Sequence, residues 1–356
     1  MEPKLTIGMA TYDDFSGVFF SIQAIRLYHK EILDNLEFII IDNNPGEDHS
    51  NSICNFVSQI ENHVPIRHIL AGDWKSTAVR DLVFQEATTP YVLCMDSHVL
   101  LEPGSLEKLL QYYKQYPDTD NLLQGPMIYD DLKTPITHMD PVWRAHMYGI
   151  WATDDRGLMP DQSPFEIPMH GMGLFTCRKA AWLGFNKRFR GFGGEEGYIH
   201  EKYRRAGHKT ICLPFLRWNH RFERPGGPKY NLSLEDRIRN YFIGFIENKM
   251  DVSPVISHFS EILDSSIIQD IYNDAINKKD KSYTKPLDVE QVSDNQINQP
   301  FPPRTDGTLC YGSTVPDRII GTVQIDGVTH NVFGAGAHKD CIKLIPHDHS
   351  IGISFK

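Results

Sequence analysis

The chain has 356 residues, of which 40% are hydrophobic and 23% charged, a globular composition that excludes a fibre or a low-complexity protein. The formal net charge of −10 argues against a general nucleic-acid binder. The sequence contains no apolar run long enough to predict a membrane-spanning helix. The six cysteines form no C-x-x-C pair, and the N-terminus lacks the pattern of a signal peptide. A reduced, cytoplasmic protein is therefore expected, with a secreted domain stripped of its leader as the alternative.

Strand and helix patterns alternate over the first hundred residues. Apolar, β-branched runs predict four strands, at residues 5–10, 37–42, 66–70 and 91–96. The segments between them predict helices at about 16–30, 49–62 and 76–87. Strands separated by helices of this length are typical of βαβ units, so the fold class is α/β, with a Rossmann-like, mainly parallel sheet and flanking helices.

The rest of the chain is less regular. Strands are predicted at 121–129, 171–177 and 208–213, with a Pro-rich loop between the first two, and helices at 195–206, 234–249 and 255–277. Polar sequence with several prolines predicts a linker at 279–306, and β-branched residues alternating with Gly-rich turns predict a small β-rich unit at 307–356. The predicted organisation is thus a main domain at 1–230, a helical extension at 231–278, the linker and the C-terminal unit.

The segment from Cys94 to His98 stands at the end of a buried strand. In extended chain, Asp96 and His98 point to the same side. Ligands of open parallel sheets bind beyond the carboxyl ends of strands, where a carboxylate and an imidazole suit a metal of intermediate hardness such as manganese. The alternative is that Asp96 caps the next turn beside a surface histidine.

Two further segments carry candidate functional groups. Gly191–Gly197 combines glycines, which let a ligand approach the backbone closely, with the adjacent carboxylates of Glu195 and Glu196. These carboxylates start a predicted helix, so they also fit simple stabilisation by the helix dipole. The segment Arg217–Phe222 contains His220. A functional role for this histidine is favoured over a structural one only if it completes the site of Asp96 and His98.

In this order, the segments resemble nucleotide-sugar-dependent glycosyltransferases of the GT-A fold, family-2-like, and within them the polypeptide N-acetylgalactosaminyltransferases. That group has Asp-Ser-His where most GT-A enzymes have Asp-x-Asp, which matches Asp96–His98. Its Gly-Gly-Leu-Phe strand is similar to Gly171–Phe175, and its Trp-Gly-Gly-Glu-Asn segment to Phe192–Glu196. Its Gly-His-x-Phe-Arg segment is matched in part by Asn219–Phe222. The resemblance covers about residues 4–225 and implies a GT-A catalytic domain.

The resemblance implies a role for each matching residue. Mn²⁺ would be bound by Asp96, His98 and His220 and would neutralise the donor diphosphate as it departs. Thr11 and Tyr12 would border the nucleobase, and Asp42 would meet the uridine. The implied donor-binding set is Thr11, Tyr12, Asp42, Arg80, Asp96 and Gly173. The catalytic pair would be Glu195 and Glu196, in contact with the transferred sugar or the acceptor hydroxyl.

The expected activity is metal-dependent transfer of a sugar from a UDP-sugar to a hydroxyl of a protein, a glycan or a modified DNA base. Glu196 stands where the relatives have Asn and inverting enzymes usually have Asp, so retention and inversion both stay open. The Gln-x-x-Arg-Trp motif of processive synthases is absent, which argues against a polymer extruder. The C-terminal elements are expected to cover the acceptor side and to support a homodimer.

Other functions compete with this interpretation. Residues 178–229 contain thirteen Lys or Arg against four Glu, a basic tract that is compatible with a phage-type DNA glycosyltransferase acting on a hydroxymethylated base. The four arginines proposed to follow a phosphate backbone are Arg188, Arg190, Arg204 and Arg205. A non-catalytic sugar-nucleotide-binding module is a second alternative. A sugar-phosphate nucleotidyltransferase is disfavoured, because residues 10–15 do not form a Gly-rich phosphate loop.

Overall fold

The computed structural model describes residues 4–46, 48–129, 131–223 and 227–277, and the backbone of three strands at 318–325, 328–334 and 342–346. The chain divides into two compact units, Met1–Pro300 and Phe301–Lys356. In the first unit, helices flank a large, mainly parallel sheet, which confirms the α/β class. The described part of the second unit is an antiparallel sheet in the order β15 (Arg318–Ile325), β16 (Val328–Gly334), β17 (Ile342–Pro346). The predicted linker at 279–306 lies outside the described residues.

Eight strands form the large sheet. In chain order they are β1 (Leu5–Thr11), β2 (Leu36–Asp42), β3 (Ile66–Leu70), β4 (Tyr91–Asp96), β6 (Leu122–Gln124), β11 (Phe165–Glu166), β12 (Leu174–Arg178) and β13 (Thr210–Cys212). Their spatial order is β11-β13-β6-β12-β4-β1-β2-β3. The pairs among β1 to β4 are parallel, as is β13 with β6, whereas β12 runs antiparallel to β4 and β6 and β11 antiparallel to β13.

Helices cover both faces of this sheet. They are α1 (Phe15–Tyr28), α2 (Asp48–Ile60), α3 (Asp81–Glu86), α4 (Ser105–Gln115), α5 (Glu196–Arg205), α6 (Leu234–Glu247), α7 (Ser253–Phe259) and α8 (Ser265–Ile276). Short 3₁₀ helices lie at Lys30–Asn35, Thr77–Arg80, Asp155–Gly157 and Lys179–Ala181. In the part of the chain that the structure describes, no helix has the length and apolarity needed to span a bilayer.

Strand β2 shows why the sheet is buried on both faces. Its side chains alternate, so that Phe38 and Ile40 join the core cluster packed by α1 and α2. Ile39 and Ile41 join the opposite cluster, which α3, α5, α6 and α8 complete. A near-continuous apolar strand is expected where both faces of a parallel sheet are covered.

A smaller sheet lies beside the carboxyl end of β4. Its order is β5 (Val99–Leu101), β14 (Trp218–His220), β7 (Met127–Ile128), β8 (Pro135–Ile136). Strand β14 runs antiparallel to β5 and parallel to β7. A separate antiparallel hairpin pairs β9 (His138–Arg144) with β10 (Met147–Ala152), where the sequence predicted only a Pro-rich loop.

Several predicted elements differ in the structure. The strand predicted at 121–129 is split, because Pro126 lacks an N–H and Gly125 packs so closely against the Leu216 carbonyl that a Cβ would lie 1.8 Å from its oxygen. The helix predicted at 76–87 begins as the 3₁₀ turn Thr77–Arg80. The helix predicted at 255–277 is two helices, because Asp264 accepts a hydrogen bond from the Ser266 amide and starts α8. Helix α4 was not predicted.

Candidate active site

The carboxyl ends of the central parallel strands meet at one edge of the sheet. Thr11 ends β1 in register with Asp42, which ends β2. On the other side of β1, Ala10 is in register with Asp96, the last residue of β4. The parallel register therefore brings the predicted nucleoside residues and the predicted metal carboxylate to the same edge.

Asp96, His98 and His220 come together beyond this edge. Strand β4 ends at Asp96, so Ser97 and His98 form a turn into β5, and the extended geometry predicted for Asp96–His98 is wrong. Strand β14 pairs with β5 so that His220 lies opposite Val99, next to that turn. Potential ligand atoms of the three side chains lie within 4.8 Å of one another, and Nε2 of His220 is 3.4 Å from Oδ2 of Asp96.

This donor set fits a divalent transition metal. One carboxylate oxygen and two imidazole nitrogens are ligands of intermediate hardness, which suits Mn²⁺. The rings of His98 and His220 are nearly perpendicular, with centroids 4.8 Å apart. Burial raises the pKa of Asp96, but the charge of Arg80 and the hydrogen bond from His220 outweigh that effect and lower it below its ordinary value. Asp96 is therefore ionised at neutral pH, as a metal ligand must be.

Arg80 connects this carboxylate to the glutamate segment. It lies at the end of the 3₁₀ turn Thr77–Arg80 and is buried. Its Nη2 donates to Oδ1 of Asp96 over 3.1 Å, and its Nη1 donates to Oε1 of Glu195 over 3.3 Å. Arg80 thus neutralises charge on both sides of the cleft.

Glu195 and Glu196 lie at the start of α5, after a glycine loop. Gly193 and Gly194 have φ values of +96° and +90°, which only glycine adopts readily. Asn240 of α6 holds this loop, because its amide donates to the carbonyl oxygens of Arg190 and Gly193. The loop therefore turns into the helix with both carboxylates at the cleft.

The two glutamates differ in environment. Glu195 is buried, and its Oε2 has no hydrogen-bond partner among the residues that the structure describes. Burial raises the pKa of Glu195, and the Arg80 charge opposes that rise. Glu196 is half-buried, and among the described residues it has no ion pair as short as the one between Arg80 and Glu195. Loss of hydration and the neighbouring charge of Glu195 raise the pKa of Glu196 to about 8, so Glu196 holds a proton at neutral pH.

Gly173 lies against His220, the histidine that is predicted to bind metal. Its carbonyl oxygen accepts from the Asp96 amide at 2.9 Å. A Cβ at this position would lie 2.9 Å from Cη2 of Trp218 and 3.3 Å from Cδ2 of His220. The backbone therefore approaches the histidine at a distance that leaves no room for a side chain.

The residues predicted to contact the nucleoside have different surroundings. Thr11 is buried, and its hydroxyl has no partner among the described residues. Tyr12 is half-buried and lies edge-on to Tyr230, with ring centroids 6.0 Å apart. Tyr230 in turn stacks on Phe192 at 5.2 Å. An aromatic bridge thus joins the end of β1 to the glycine loop, and the sequence analysis missed Tyr230.

Asp42 is enclosed by two histidines that the sequence analysis also missed. Nε2 of His49 is 3.4 Å from Oδ1, and Nε2 of His68 is 3.2 Å from Oδ2. Burial raises the pKa of Asp42, but hydrogen bonds from His68, Ser50 and the Asn44 amide prevail and lower it to about 2. The two polar residues Arg67 and His68 inside the otherwise apolar β3 were the available signal for His68.

One cleft of about 60 Å³ contains most of these groups. Its polar lining consists of Arg80, Asp96, His98, Glu195, Glu196 and His220, and its aromatic lining of Trp151, Phe192, Trp218, Phe222 and Tyr230. Gly173 also lines it, whereas Thr11, Tyr12 and Asp42 do not. The structure thus unites the predicted metal and catalytic residues in one cleft and leaves the nucleoside residues next to it along the sheet edge.

The basic tract of residues 178–229 is largely neutralised within the chain. Arg188 donates to the carbonyl oxygens of Ala275 and Asn277, Arg190 pairs with Asp274 at 2.8 Å, and Arg204 and Arg205 pair with Glu201 at 3.0 and 2.8 Å. Lys202 pairs with Glu247 at 2.9 Å, and Arg178 pairs with Asp120. Five cations of the tract are therefore in ion pairs within the chain, and Arg188 is held by carbonyl oxygens.

The chain is similar to several known proteins. Residues 7–179 match the model of glycosyl transferase family 2. GalNAc-T7, solved with UDP, GalNAc and Mn²⁺, is 14% identical with a TM-score of 0.56, over 78% of this chain and 56% of that one. The mannosyltransferase PcManGT of Pyrobaculum calidifontis, solved with GDP-Man and Mn²⁺, is 12% identical with a TM-score of 0.48, over 77% and 74% of the two chains. TarS 1-349 of S. aureus, solved with UDP-GlcNAc, is 11% identical with a TM-score of 0.47, over 77% and 79%.

These likenesses have defined limits. The chain spans little more than half the length of GalNAc-T7, and at 14% identity that likeness shows the fold alone. No protein of curated function matches the sequence. The match to the family model and the GT-A fold agree with each other and with the resemblance seen in the sequence. Residues 7–179 therefore match a glycosyl transferase family 2 domain, and the fold of the chain is that of GT-A glycosyltransferases.

Proposed function

We propose that the protein transfers a sugar from a UDP-sugar to a hydroxyl acceptor, with Mn²⁺ bound by Asp96, His98 and His220. One observation carries the proposal: potential ligand atoms of these residues lie within 4.8 Å of one another, in a cleft that also contains Glu195 and Glu196. A metal bound there would neutralise the developing charge on the departing diphosphate.

The donor nucleoside is proposed to lie along the adjacent sheet edge. Thr11 and Asp42 are in register at the ends of β1 and β2, and Tyr12 follows directly. The buried hydroxyl of Thr11 has no partner among the described residues, and Tyr12 offers a ring for stacking on a base. UDP is the preferred nucleotide, because GalNAc-T7, which shares the fold, was solved with UDP.

Arg80 and the two glutamates are proposed to act on the transferred sugar and the acceptor. Arg80 keeps Asp96 ionised and opposes the rise that burial causes in the pKa of Glu195. The unpartnered Oε2 of Glu195 is suited to accept a hydrogen bond from a sugar hydroxyl. Glu196 has a raised pKa of about 8, which matches a group that accepts the acceptor's proton as its oxygen attacks.

The stereochemistry separates two versions of this reaction. In a direct displacement, the acceptor oxygen forms a bond to the anomeric carbon as the bond to the diphosphate breaks, and Glu196 takes the proton. That version inverts the anomeric centre. A product with retained configuration excludes this direct displacement, and with it the role of Glu196 as its base. NMR of the product's anomeric proton distinguishes the two.

The alternative functions have less support. A DNA acceptor was suggested by the basic tract, but Arg188, Arg190, Arg204 and Arg205 all have partners within the chain. A non-catalytic binding module would not need a charged metal carboxylate, a buried glutamate without a partner and a glutamate with a raised pKa in one cleft.

The test is release of free nucleotide from a panel of UDP-, GDP- and TDP-sugars, first with Mn²⁺ and then with EDTA. Consumption of one UDP-sugar, only with metal, is the expected result. Asp96→Asn and His220→Ala should each reduce that turnover by at least tenfold. His63→Ala is the matched control, because this histidine is exposed beyond α2, and its turnover should equal that of the wild type.

Two outcomes would contradict the proposal. Turnover that persists in EDTA would exclude an essential metal at Asp96, His98 and His220. Preferred consumption of a GDP- or TDP-sugar would exclude UDP as the donor nucleotide while keeping the transferase.

A further inference from the structure

We infer that Asp14 is a positioning residue for the metal ligand His98, which holds the imidazole in one tautomer and one orientation through a carboxylate–histidine–metal relay. The inference rests on the proposed metal site. Asp14 is not part of any motif that the sequence analysis used, and it does not line the cleft. It follows β1 and precedes α1, far in sequence from the residue that it holds.

The contacts of Asp14 carry the argument. Its Oδ2 lies 2.8 Å from Nδ1 of His98 and accepts the Ser97 hydroxyl at 3.0 Å. Its Oδ1 accepts from the Gly17 amide at 3.1 Å, which caps α1. One carboxylate therefore joins the first turn of α1 to both residues of the turn after β4.

The chemical consequence concerns the tautomer of His98. A carboxylate beside Nδ1 favours the tautomer in which Nδ1 carries the hydrogen, so that the lone pair lies on Nε2. That leaves Nε2 as the metal-binding atom and makes the imidazole a stronger electron donor.

The rest of the turn is fixed independently of Asp14. The Ser21 hydroxyl in α1 lies 2.8 Å from the carbonyl oxygens of both Ser97 and Val99. Gly17 packs so closely that a Cβ there would lie 2.8 Å from the Ser97 oxygen. Because the backbone of the turn is held by these contacts, loss of the Asp14 charge should change the imidazole more than the fold.

The neighbouring residue provides a matched control. Asp13 has a φ of +53°, and the carboxylates of Asp13 and Asp14 bind different histidines. Oδ1 of Asp13 lies 3.1 Å from Nδ1 of His49, which belongs to the surroundings of Asp42. The two residues are thus adjacent carboxylates that each contact a histidine, and only one of those histidines is a metal ligand.

The test measures Mn²⁺ affinity by the EPR signal of free Mn²⁺, on the full chain with UDP present. Asp14→Asn keeps a good N-cap for α1 and removes the charge. We expect it to weaken Mn²⁺ binding 10- to 100-fold with little change in the thermal unfolding midpoint. Asp14→Ser, which caps a helix equally well but has no carboxylate, should weaken binding at least as much. Asp13→Asn should bind Mn²⁺ as the wild type does.

The outcomes separate this inference from the proposed function. Wild-type affinity in both Asp14 variants would overturn the positioning role while leaving the metal site intact. Equal weakening in Asp13→Asn would also overturn it, because the effect would then be one of general charge. A wild-type protein that binds no Mn²⁺ with UDP present would overturn the metal site itself, and this inference with it.

Discussion

Nη2 of Arg80 lies 3.1 Å from Oδ1 of Asp96, although Arg80 ends the 3₁₀ turn Thr77–Arg80 and Asp96 ends strand β4. The same guanidinium holds Glu195 at 3.3 Å. Arg80 therefore forms ion pairs with both the proposed metal ligand Asp96 and the proposed catalytic residue Glu195. Four predictions follow from this arrangement and from its neighbours.

Replacing Arg80 should damage both stability and turnover. Arg80→Met leaves the buried carboxylate of Glu195 and the half-buried carboxylate of Asp96 without their cation, which costs about 3 to 5 kcal/mol of the free energy of unfolding. Arg80→Lys keeps the charge but cannot reach both carboxylates as a fork, so it should lose less. Urea unfolding and donor hydrolysis measure the two effects. Arg205→Met, which breaks the helical pair with Glu201, is the control and should cost less than about 1 kcal/mol.

The pKa of Glu196 predicts two pH dependences. If Glu196 accepts a proton, wild-type turnover rises with pH through about 8, and Glu196→Gln lowers turnover about 10²- to 10⁴-fold and removes that rise. Between pH 4.5 and about 8 the folded protein holds a proton that the unfolded chain has released. The free energy of unfolding should therefore fall over this range, and Glu196→Gln should flatten the fall. An unchanged pH profile in the Gln variant would exclude Glu196 as the titrating group.

Gly173→Ala should disturb the metal site through Trp218. The added Cβ would lie 2.9 Å from Cη2 of a fully buried ring whose Nε1 donates to the Gly125 carbonyl, so the ring cannot move freely. A cost of about 1 to 3 kcal/mol and weaker Mn²⁺ binding are expected. Trp218→Phe in the same background shortens the side chain and should recover part of the loss. Strictly additive costs in thermal unfolding of the double variant would show that the two residues do not clash.

Asp42→Asn should remove a pH-dependent stabilisation. The pKa of Asp42 is about 2 in the folded protein against an ordinary value of 3.8, so its contribution is complete above pH 4 and disappears as the pH falls to about 2. The variant should lose about 2 kcal/mol at pH 7 and converge with the wild type near pH 2. Asp34→Asn, at an exposed site, is the control. UDP affinity, measured by calorimetry, should also fall if Asp42 supports the nucleoside site.

The sequence predicted the central fold because its signal is local. The apolar run of β2 and the ends of β3 and β4 follow directly from residue pattern, since strands buried on both faces must be nearly continuous in apolar residues. The hairpin β9–β10 was missed although the apolar run of β10, with alternate residues buried, was an available signal; β9 is mostly exposed or half-buried and carries no such pattern. Helix α4 was also missed, although its apolar face with Leu106, Leu109 and Tyr113 is a pattern from which a helix can be predicted.

By itself, the sequence determined which residues are proposed to bear the chemistry. Motifs named Asp96, His98, His220, Glu195 and Glu196, and the structure brings them into one cleft. The tertiary structure decided what surrounds them. Asp14 meets His98, and Arg80 meets Glu195, across 84 and 115 positions of the chain. Such pairings depend on strand order and on the pairing of β5 with β14, which bring remote residues together through the burial of whole elements. Local residue patterns do not specify which remote strands pair or in what register. Only the tertiary structure therefore shows that Asp14 and Arg80 contact the residues of the site.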